Sequence, residues 1–281
     1  MRIAAALLAI IAAGTPGWGA QAAERVEIRH GDTTLPATLY RPAGDGPHPA
    51  VVALHGCGGL ADARGQLFPQ YQAWGERLLV AGFAVLFPDS FAARGLGTQC
   101  RVAKRTLRSS RERVADAYAA RQWLQKQAFV NPRRVSLLGW SNGAVATLWT
   151  VRPRRGAKAG KDAREDGPDF RSAAAFYPSC QRLGAAGWAA RVPTLILVGS
   201  ADDWTPSREC EQMVAGARGR SAIAQIVNYP GAHHYFDRPN LPLQERRGLA
   251  FTPDGSGRAH VGSNPAALAD AMRRVPEFLT R

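Results

Sequence analysis

A serine between two glycines, placed where a strand gives way to a helix, is the feature that most constrains this fold. The run Gly139-Trp140-Ser141-Asn142-Gly143 follows the apolar residues 135–138 and precedes the helix-forming residues 144–149. In this context a G-x-S-x-G pentapeptide is typical of a nucleophile elbow, a sharp turn that exposes a serine hydroxyl above the edge of a sheet. A glycine-rich packing turn is the alternative interpretation.

An acid and a histidine follow the serine in the chain order that such an elbow requires. A predicted buried strand ends shortly before Asp202 and Asp203, and the next predicted strand ends shortly before His233 and His234. Open α/β sheets bind their ligands beyond the carboxyl ends of the strands. A serine becomes a nucleophile when an imidazole accepts its proton, and a carboxylate orients that imidazole. The order therefore predicts a Ser-Asp-His triad, whereas helix capping ahead of Pro206-Ser207 is the structural alternative for the Asp202-Asp203 pair, Asp203 in particular.

A glycine-rich loop lies upstream of the elbow and predicts an oxyanion hole. Residues 50–54 form a predicted buried strand that runs into His55-Gly56-Cys57-Gly58-Gly59. Backbone amides in such a loop can point at the negative charge that develops during acyl transfer. The expected donors are the amides of Cys57 and Asn142. We expect His55 to shape the loop, because the triad already has a better-placed base.

These residues carry a resemblance to a known family. From about residue 49 to the C-terminus the chain resembles the dienelactone hydrolase family of α/β-hydrolases. The matching phrases are Leu54-His55-Gly56-Cys57-Gly58-Gly59, Phe87-Pro88-Asp89-Ser90-Phe91, Gly139-Trp140-Ser141-Asn142-Gly143, Phe176-Tyr177-Pro178, Gly199-Ser200-Ala201-Asp202 and Tyr229-Pro230-Gly231-Ala232-His233-His234-Tyr235-Phe236. The resemblance implies an α/β-hydrolase fold, with a mostly parallel central sheet and helices on both faces.

The same resemblance selects one residue from the aspartate pair and one from the histidine pair, and it bears on the substrate. It implies Asp202 as the acid and His234 as the base of Ser141. Family members that act on dienelactone have a cysteine nucleophile and a glutamate after the loop histidine, whereas this chain has Ser141 and Gly56 there. The implied fold and triad are compatible with this difference, but dienelactone is no longer implied as the substrate. An arginine near this region binds a substrate carboxylate in the family, which makes Arg94 a candidate ligand; a solvated loop arginine is the alternative.

The N-terminus predicts export, followed by a single domain. A basic start, an apolar run from residue 3 to 13 and the small residues of Ala20-Gln21-Ala22 are typical of a signal peptide over residues 1–22. A retained membrane anchor is the alternative. Residues 23–281 alternate strands and helices without a linker, which predicts one α/β-hydrolase domain. The expected location is periplasmic or secreted.

The four cysteines are expected to form two disulfides, because an exported chain reaches an oxidising compartment. Four cysteines allow three pairings. Cys57 and Cys100 follow two strands that should be neighbours in the sheet, as do Cys180 and Cys210. We therefore expect the pairs Cys57–Cys100 and Cys180–Cys210.

The formal net charge of +14 does not by itself indicate a nucleic-acid partner. The basic residues are scattered over residues 101–113, 152–161 and 246–247 without interleaved aromatics, which favours solvated surface over specific nucleic-acid binding. We expect a monomer without stable membrane insertion. Residues 151–169 and 236–263 have no clear periodicity and are expected to be loops.

Together these features predict a serine hydrolase that cleaves a carboxylic ester or lactone through an acyl-enzyme, with no metal and no organic cofactor. The expected partner is a small-molecule ester or lactone. A non-catalytic exported scaffold that binds a small ligand is an alternative from another functional class. A peptidase or a polyester depolymerase is an alternative among enzymes, because acyl specificity resides in loop shapes.

Overall fold

The computed structural model describes residues 23–153, 167–221 and 224–281. The predicted signal peptide and most of the loop 151–169 therefore lie outside the described residues. The strands are β1 (Glu24–His30), β2 (Thr33–Tyr40), β3 (His48–Leu54), β4 (Ala84–Pro88), β5 (Val130–Trp140), β6 (Ala173–Phe176), β7 (Thr194–Gly199), β8 (Ala224–Tyr229), β9 (Gln244–Arg247) and β10 (Arg258–Val261). The α-helices are α1 (Pro69–Val80), α2 (Glu112–Gln125), α3 (Asn142–Thr150), α4 (Gln181–Ala185), α5 (Ser207–Gly216) and α6 (Pro265–Thr280).

The predicted site residues follow strands of one eight-stranded sheet. Its strands have the order β1-β2-β4-β3-β5-β6-β7-β8. The first two strands form an antiparallel hairpin at one edge, and β2 is antiparallel to β4. From β4 to β8 all neighbouring strands are parallel. Parallel neighbours need long crossover connections, which here contain the helices. The predicted mostly parallel sheet is confirmed.

Helices cover both faces of this sheet, as expected. Residues of α1 and α6 pack into one core, and residues of α2 and α3 pack into the core on the opposite face. Successive side chains of β3 alternate between the two cores: Val51 and Ala53 belong to the first, and Val52 and Leu54 to the second. A strand buried on both faces reads as an unbroken apolar run, which is why its period of two is invisible in the sequence.

The segment 236–263 differs from the expectation of an irregular loop. It contains β9 and β10, which pair as an antiparallel hairpin. Val261 of β10 also forms a parallel bridge to His234, and the amide of Gly262 donates to the carbonyl of His234 at 3.0 Å. The hairpin therefore packs beside the loop of the predicted catalytic histidine.

Two disulfides link the segments that follow neighbouring strands. Cys57 is bonded to Cys100, and Cys180 is bonded to Cys210, with Cα–Cα distances of 4.9 Å in both cases. This is the pairing expected from the strand order. Among the helices of the described residues, none combines the length and apolar character needed to cross a bilayer.

Candidate active site

Ser141 lies in a strained turn that connects β5 directly to α3. Its φ is 49° and its ψ is −114°, a conformation that residues with side chains rarely adopt. A Cβ on Gly143 would lie 2.1 Å from the carbonyl oxygen of Leu54, and a Cβ on Gly139 would lie 2.5 Å from the carbonyl oxygen of Gly143. Gly143 is therefore needed because α3 packs against the backbone at the end of β3, and Gly139 is needed because the backbone of α3 packs against β5.

Asp202 and His234 lie in direct contact beyond β7 and β8. His234 Nδ1 is 2.8 Å from Asp202 Oδ2, and both side chains are buried. Asp202 Oδ1 accepts hydrogen bonds from the amides of Trp204 and Thr205 at 2.9 and 2.8 Å. The Thr205 hydroxyl lies 2.9 Å from Asp202 Oδ2 and 3.1 Å from His234 Nδ1. An ionised carboxylate only accepts, so Nδ1 carries the proton and Nε2 is left as the basic nitrogen.

Ser141 lines a cavity whose wall also includes Trp204 and Thr205, the neighbours of this acid–histidine pair. The indole of Trp204 lies 4.6 Å from the His234 ring, centroid to centroid. Within the described part of the chain, His234 Nε2 is buried and has no hydrogen-bond partner, so Ser141 and His234 are not hydrogen-bonded. Bonds of this kind are often long before substrate binds.

The second member of each predicted pair has a different environment. Asp203 accepts hydrogen bonds from the amide and Nδ1 of His260 at 2.8 and 2.7 Å, and this contact raises the pKa of His260. Capping of α5 by Asp203 is wrong: the residue before that helix is Pro206, and no side chain caps it. The ring of His233 lies 5.9 Å from the His260 ring.

The two predicted oxyanion donors are backbone amides without an acceptor among the described residues. The amide of Asn142 belongs to the first turn of α3, where helix geometry leaves N–H groups unpaired. Cys57 lies in the loop after β3, and its carbonyl oxygen accepts from the amide of Gln99 at 2.8 Å. The disulfide to Cys100 ties the same loop a second time.

A buried cation lies beside this first turn of α3. Arg113 is fully buried, and it donates through Nη1 to Asn142 Oδ1 at 2.7 Å. Its guanidinium carbon lies 5.3 Å from the centre of the Phe91 ring. Burial lowers the pKa of Arg113 to about 10, which leaves the side chain charged at neutral pH. The cation and the N-terminus of α3 both favour negative charge near the Asn142 amide.

His55 has the environment of a structural residue. It is fully buried, its Nδ1 donates to the carbonyl oxygen of Gly56 at 2.9 Å, and its ring packs edge-on against Phe91. Burial and the nearby Arg113 charge hold the pKa of His55 well below its usual range. The imidazole is therefore neutral and oriented by the loop that it supports.

Arg94 is bound to protein groups rather than exposed in the cavity. Its guanidinium makes two hydrogen bonds to Asp116, at 3.0 and 2.8 Å, and a third to the carbonyl oxygen of Ser90 at 2.8 Å. Asp116 is fully buried. Arg94 is absent from the described residues that line the cavity, so this placement favours a structural role over contact with a substrate.

The cavity at Ser141 has a volume of about 620 Å³ and a basic wall. Lys104, Arg105 and Arg108 line it together with the aromatic side chains of Trp149 and Phe251. The Arg105 guanidinium carbon lies 4.5 Å from the centre of the Phe251 ring, and burial lowers its pKa to about 10. A second cavity of about 640 Å³ lies between α4 and α5, and none of the predicted triad residues lines it.

Sequence reasoning missed several side chains that lie near the residues of the predicted triad. Tyr177 and Tyr235 have φ angles of 38° and 65°, which makes them, with Ser141, three of the four non-glycine residues with positive φ in the described ranges. Strained backbone of this kind clusters at functional sites. Tyr177 follows β6 within a phrase that the family resemblance already contains, so its position was a usable signal. Thr205 and Arg113 carried no comparable signal.

Comparison with known proteins identifies the family of this chain. The sequence profile of the dienelactone hydrolase family matches residues 35–281. The chain is 22% identical over 236 residues to the uncharacterized peptidase YuxL of Bacillus subtilis, an alignment that covers 76% of this chain and 35% of that protein. The chain therefore spans about a third of the length of that curated relative.

Solved structures with the same fold cover nearly the whole chain. A putative dienelactone hydrolase from Klebsiella pneumoniae superposes with a TM-score of 0.68 at 17% identity, over 92% of this chain and 98% of the other. Esterase 2 of Thermogutta terrifontis, phosphorylated by paraoxon, superposes with a TM-score of 0.65 at 18% identity, over 93% and 95% of the two chains. At these identities the likeness concerns the fold. The family profile, which spans most of the chain, shows that this protein is a hydrolase and belongs to the dienelactone hydrolase family.

Proposed function

We propose that the protein is a serine hydrolase that cleaves a carboxylic ester or lactone through an acyl-enzyme. The observation that carries this proposal is the 2.8 Å contact between Asp202 Oδ2 and His234 Nδ1, together with the strained Ser141 turn, which lines one cavity with Trp204 and Thr205. An unrelated packing turn would not require a buried, oriented imidazole beyond the carboxyl end of another strand of the same sheet. The non-catalytic scaffold explains none of these features.

In the proposed first step, Ser141 Oγ attacks the carbonyl carbon of the substrate while its proton passes to His234 Nε2. The carbonyl electron pair moves onto the oxygen, and the amides of Cys57 and Asn142 stabilise the resulting oxyanion. When the tetrahedral adduct collapses, the leaving alkoxide takes the proton from Nε2. Water then attacks the acyl-serine by the same route in reverse, and Asp202 stabilises the imidazolium in both halves.

The residues that line the cavity favour, as substrate, an ester that bears an acidic group. Lys104, Arg105 and Arg108 supply positive charge there, and Trp149 and Phe251 supply apolar surface. Oriented cations of this kind bind carboxylates well. In this proposal these residues bind the substrate carboxylate. The family resemblance gave that role to Arg94, whose guanidinium is bound to Asp116.

The proposed setting is an exported, monomeric enzyme whose signal peptide is removed near Ala23. Two disulfides in a chain of this size fit an oxidising compartment. The predicted domain then covers residues 23–281. N-terminal sequencing of the exported protein tests the cleavage site.

Turnover by the purified mature chain tests the function. Neutral short-chain esters, acid-bearing esters, lactones and peptide anilides should be compared, with the Ser141→Ala variant as the inactive control. We expect hydrolysis of the esters or lactones and a loss of kcat on the order of 10³–10⁶ in Ser141→Ala and in His234→Ala. His233→Ala is the matched control and should cost far less. Hydrolysis of the anilides alone would favour a peptidase.

A further inference from the structure

A buried carboxylate lies three residues after His234 and has no role in the mechanism above. Asp237 is fully buried. Its Oδ1 accepts hydrogen bonds from the Tyr177 hydroxyl at 2.7 Å and from Gln70 Nε2 at 2.8 Å. Its Oδ2 accepts from the indole N–H groups of Trp74 and Trp140 at 2.8 and 2.7 Å. All four partners donate, so they satisfy the ionised form of the carboxyl group.

The anion is held by neutral groups. Burial raises the pKa of Asp237, and the four hydrogen bonds act against that rise. A buried carboxylate is costly unless it is hydrogen-bonded, and the four donors meet that requirement. The same bonds fix the positions of the donors, because an apolar residue at position 237 would leave four buried N–H and O–H groups without this acceptor.

Two of the four donors, Trp140 and Tyr177, are neighbours of predicted triad residues. Trp140 is the residue immediately before Ser141. The ring of Tyr177 lies 4.3 Å from the His234 ring, centroid to centroid, while its hydroxyl is bonded to Asp237. The carbonyl oxygen of Tyr177 also accepts from the Thr205 hydroxyl at 3.1 Å.

Three aromatic rings enclose the His234 imidazole. The rings of Tyr177, Trp204 and Tyr235 have centroids 4.3, 4.6 and 4.8 Å from the centre of the imidazole. The faces of aromatic rings attract cations within about 6 Å of their centroids. Such an enclosure suits an imidazole that becomes positively charged during each catalytic half-reaction.

We propose that Asp237 is a positioning residue of this site: its carboxylate holds the Tyr177 ring against His234 and electrostatically favours the imidazolium that forms when Ser141 gives up its proton. The inference rests on the proposed serine-hydrolase function. The negative charge of Asp237 acts through the phenol, because a hydroxyl that donates to an anion leaves its own ring more electron-rich. Asp237 touches neither the substrate nor the reacting atoms.

Other charged and titratable groups face His234 and Asp237. From the loop after β7, Asp202 pairs with His234, and Asp203 binds His260 of β10. On the histidine loop itself, the Arg238 guanidinium carbon lies 5.9 Å from the centre of the Tyr235 ring. From α1, Tyr71 interacts electrostatically with Asp237. His233 precedes the base in the chain. These groups remain in place in the variants below, so differences between variants report on Asp237.

The test is the pH dependence of the rate at which a fluorophosphonate labels Ser141. This readout needs no knowledge of the natural ester, and it measures the serine–histidine pair alone. Labelling of the wild type, Asp237→Asn and Tyr177→Phe should be followed from about pH 5 to pH 9, where protonation of the base ends the reaction at low pH. Tyr118→Phe is the matched control, since its hydroxyl donates to the carbonyl oxygen of Thr150 at 3.1 Å in the core on the opposite face of the sheet.

In Asp237→Asn we expect the acid limb to move to lower pH by roughly 0.5–1 unit, because the imidazolium loses a nearby negative charge. The maximal rate should fall by about tenfold as the Tyr177 ring loses its anchor. Tyr177→Phe should shift the limb in the same direction by less, and it decides the question alone if the asparagine variant does not fold. Tyr118→Phe should leave the limb in place.

An acid limb that is unchanged in both variants would overturn the inference, whatever happens to their melting temperatures. Failure of the wild type to label at Ser141 would instead overturn the proposed function. The two failures are thus told apart within one experiment.

Discussion

Removal of the disulfide Cys57–Cys100 should damage catalysis as well as stability, whereas removal of Cys180–Cys210 should chiefly damage stability. The two double-alanine variants are matched, because the bridges close loops of similar length, with sequence separations of 43 and 30 residues. On the chain-entropy treatment each bridge contributes about 4 kcal/mol to the free energy of unfolding. In a chain of this size that corresponds to a fall in Tm of about 8–16 °C.

The difference between the variants should appear in kcat. Cys57 carries one of the two proposed oxyanion amides, and its loop would keep the hydrogen bond from the Gln99 amide to the Cys57 carbonyl oxygen but lose its covalent tether. Loss of a whole oxyanion donor costs about 10²–10³ in kcat. A loosened donor should cost less, on the order of tenfold to a hundredfold. Because the interaction forms in the transition state, kcat and kcat/KM should fall together while KM stays constant.

Thermal unfolding and steady-state ester hydrolysis, measured well below the lower melting temperature, give the two quantities. In the Cys180→Ala, Cys210→Ala variant, kcat should change by less than about threefold, because this bridge links the residue before α4 to α5 and neither cysteine carries a proposed oxyanion amide. Equal losses of kcat in both variants, or an unchanged kcat without Cys57–Cys100, would refute the reasoning.

Three further predictions concern neighbours of the site. Gly143→Ala should lower the free energy of unfolding by about 3 kcal/mol or more in urea titrations, since its Cβ would lie 2.1 Å from the Leu54 carbonyl oxygen. Arg94→Gln should cost about 3 kcal/mol, because it removes the ion pair and both guanidinium hydrogen bonds from the buried Asp116 carboxylate. KM for acid-bearing esters should not change, and a raised KM at full stability would instead favour a substrate role. Burial keeps the pKa of His55 well below its usual range, so unfolding takes up a proton below about pH 6.5, and this group makes stability fall by up to about 1.4 kcal/mol per pH unit there. His55→Gln should flatten that slope, and an unchanged slope would contradict a neutral, buried imidazole.

The sequence was informative wherever a site residue directly follows a strand. Ser141 and Asp202 come after buried strands whose apolar composition is visible in the chain, and His234 comes after β8, which is only partly buried but contains Ile226 and Val227. Once strands are recognised, their carboxyl ends share one edge of the sheet, and the polar residues beyond them become candidates. The order of the strands also gave the disulfide pairing, because loops after neighbouring strands lie close together.

Contacts that depend on long-range packing could not be predicted in this way. The hydrogen-bond donors to Asp237 lie 60 to 167 residues away from it in the chain, and no local sequence pattern indicates that they are close in space. Arg113 is on a helix whose charged residues predict solvent exposure, yet it is fully buried. The hairpin of β9 and β10 escaped detection because all four residues of β9 are exposed and polar, which removes the alternation that marks a strand.

The most direct test of the proposed mechanism is the capture of the acyl-enzyme. The mature protein would be mixed with 4-nitrophenyl acetate, quenched in acid within the first turnovers and analysed by mass spectrometry, with Ser141→Ala and His234→Ala treated in parallel. We predict one added acetyl group in the wild type, located on the peptide that contains Ser141, and no adduct in Ser141→Ala. Hydrolysis of the ester without an adduct, or an adduct that persists in Ser141→Ala, would contradict a serine acyl-enzyme.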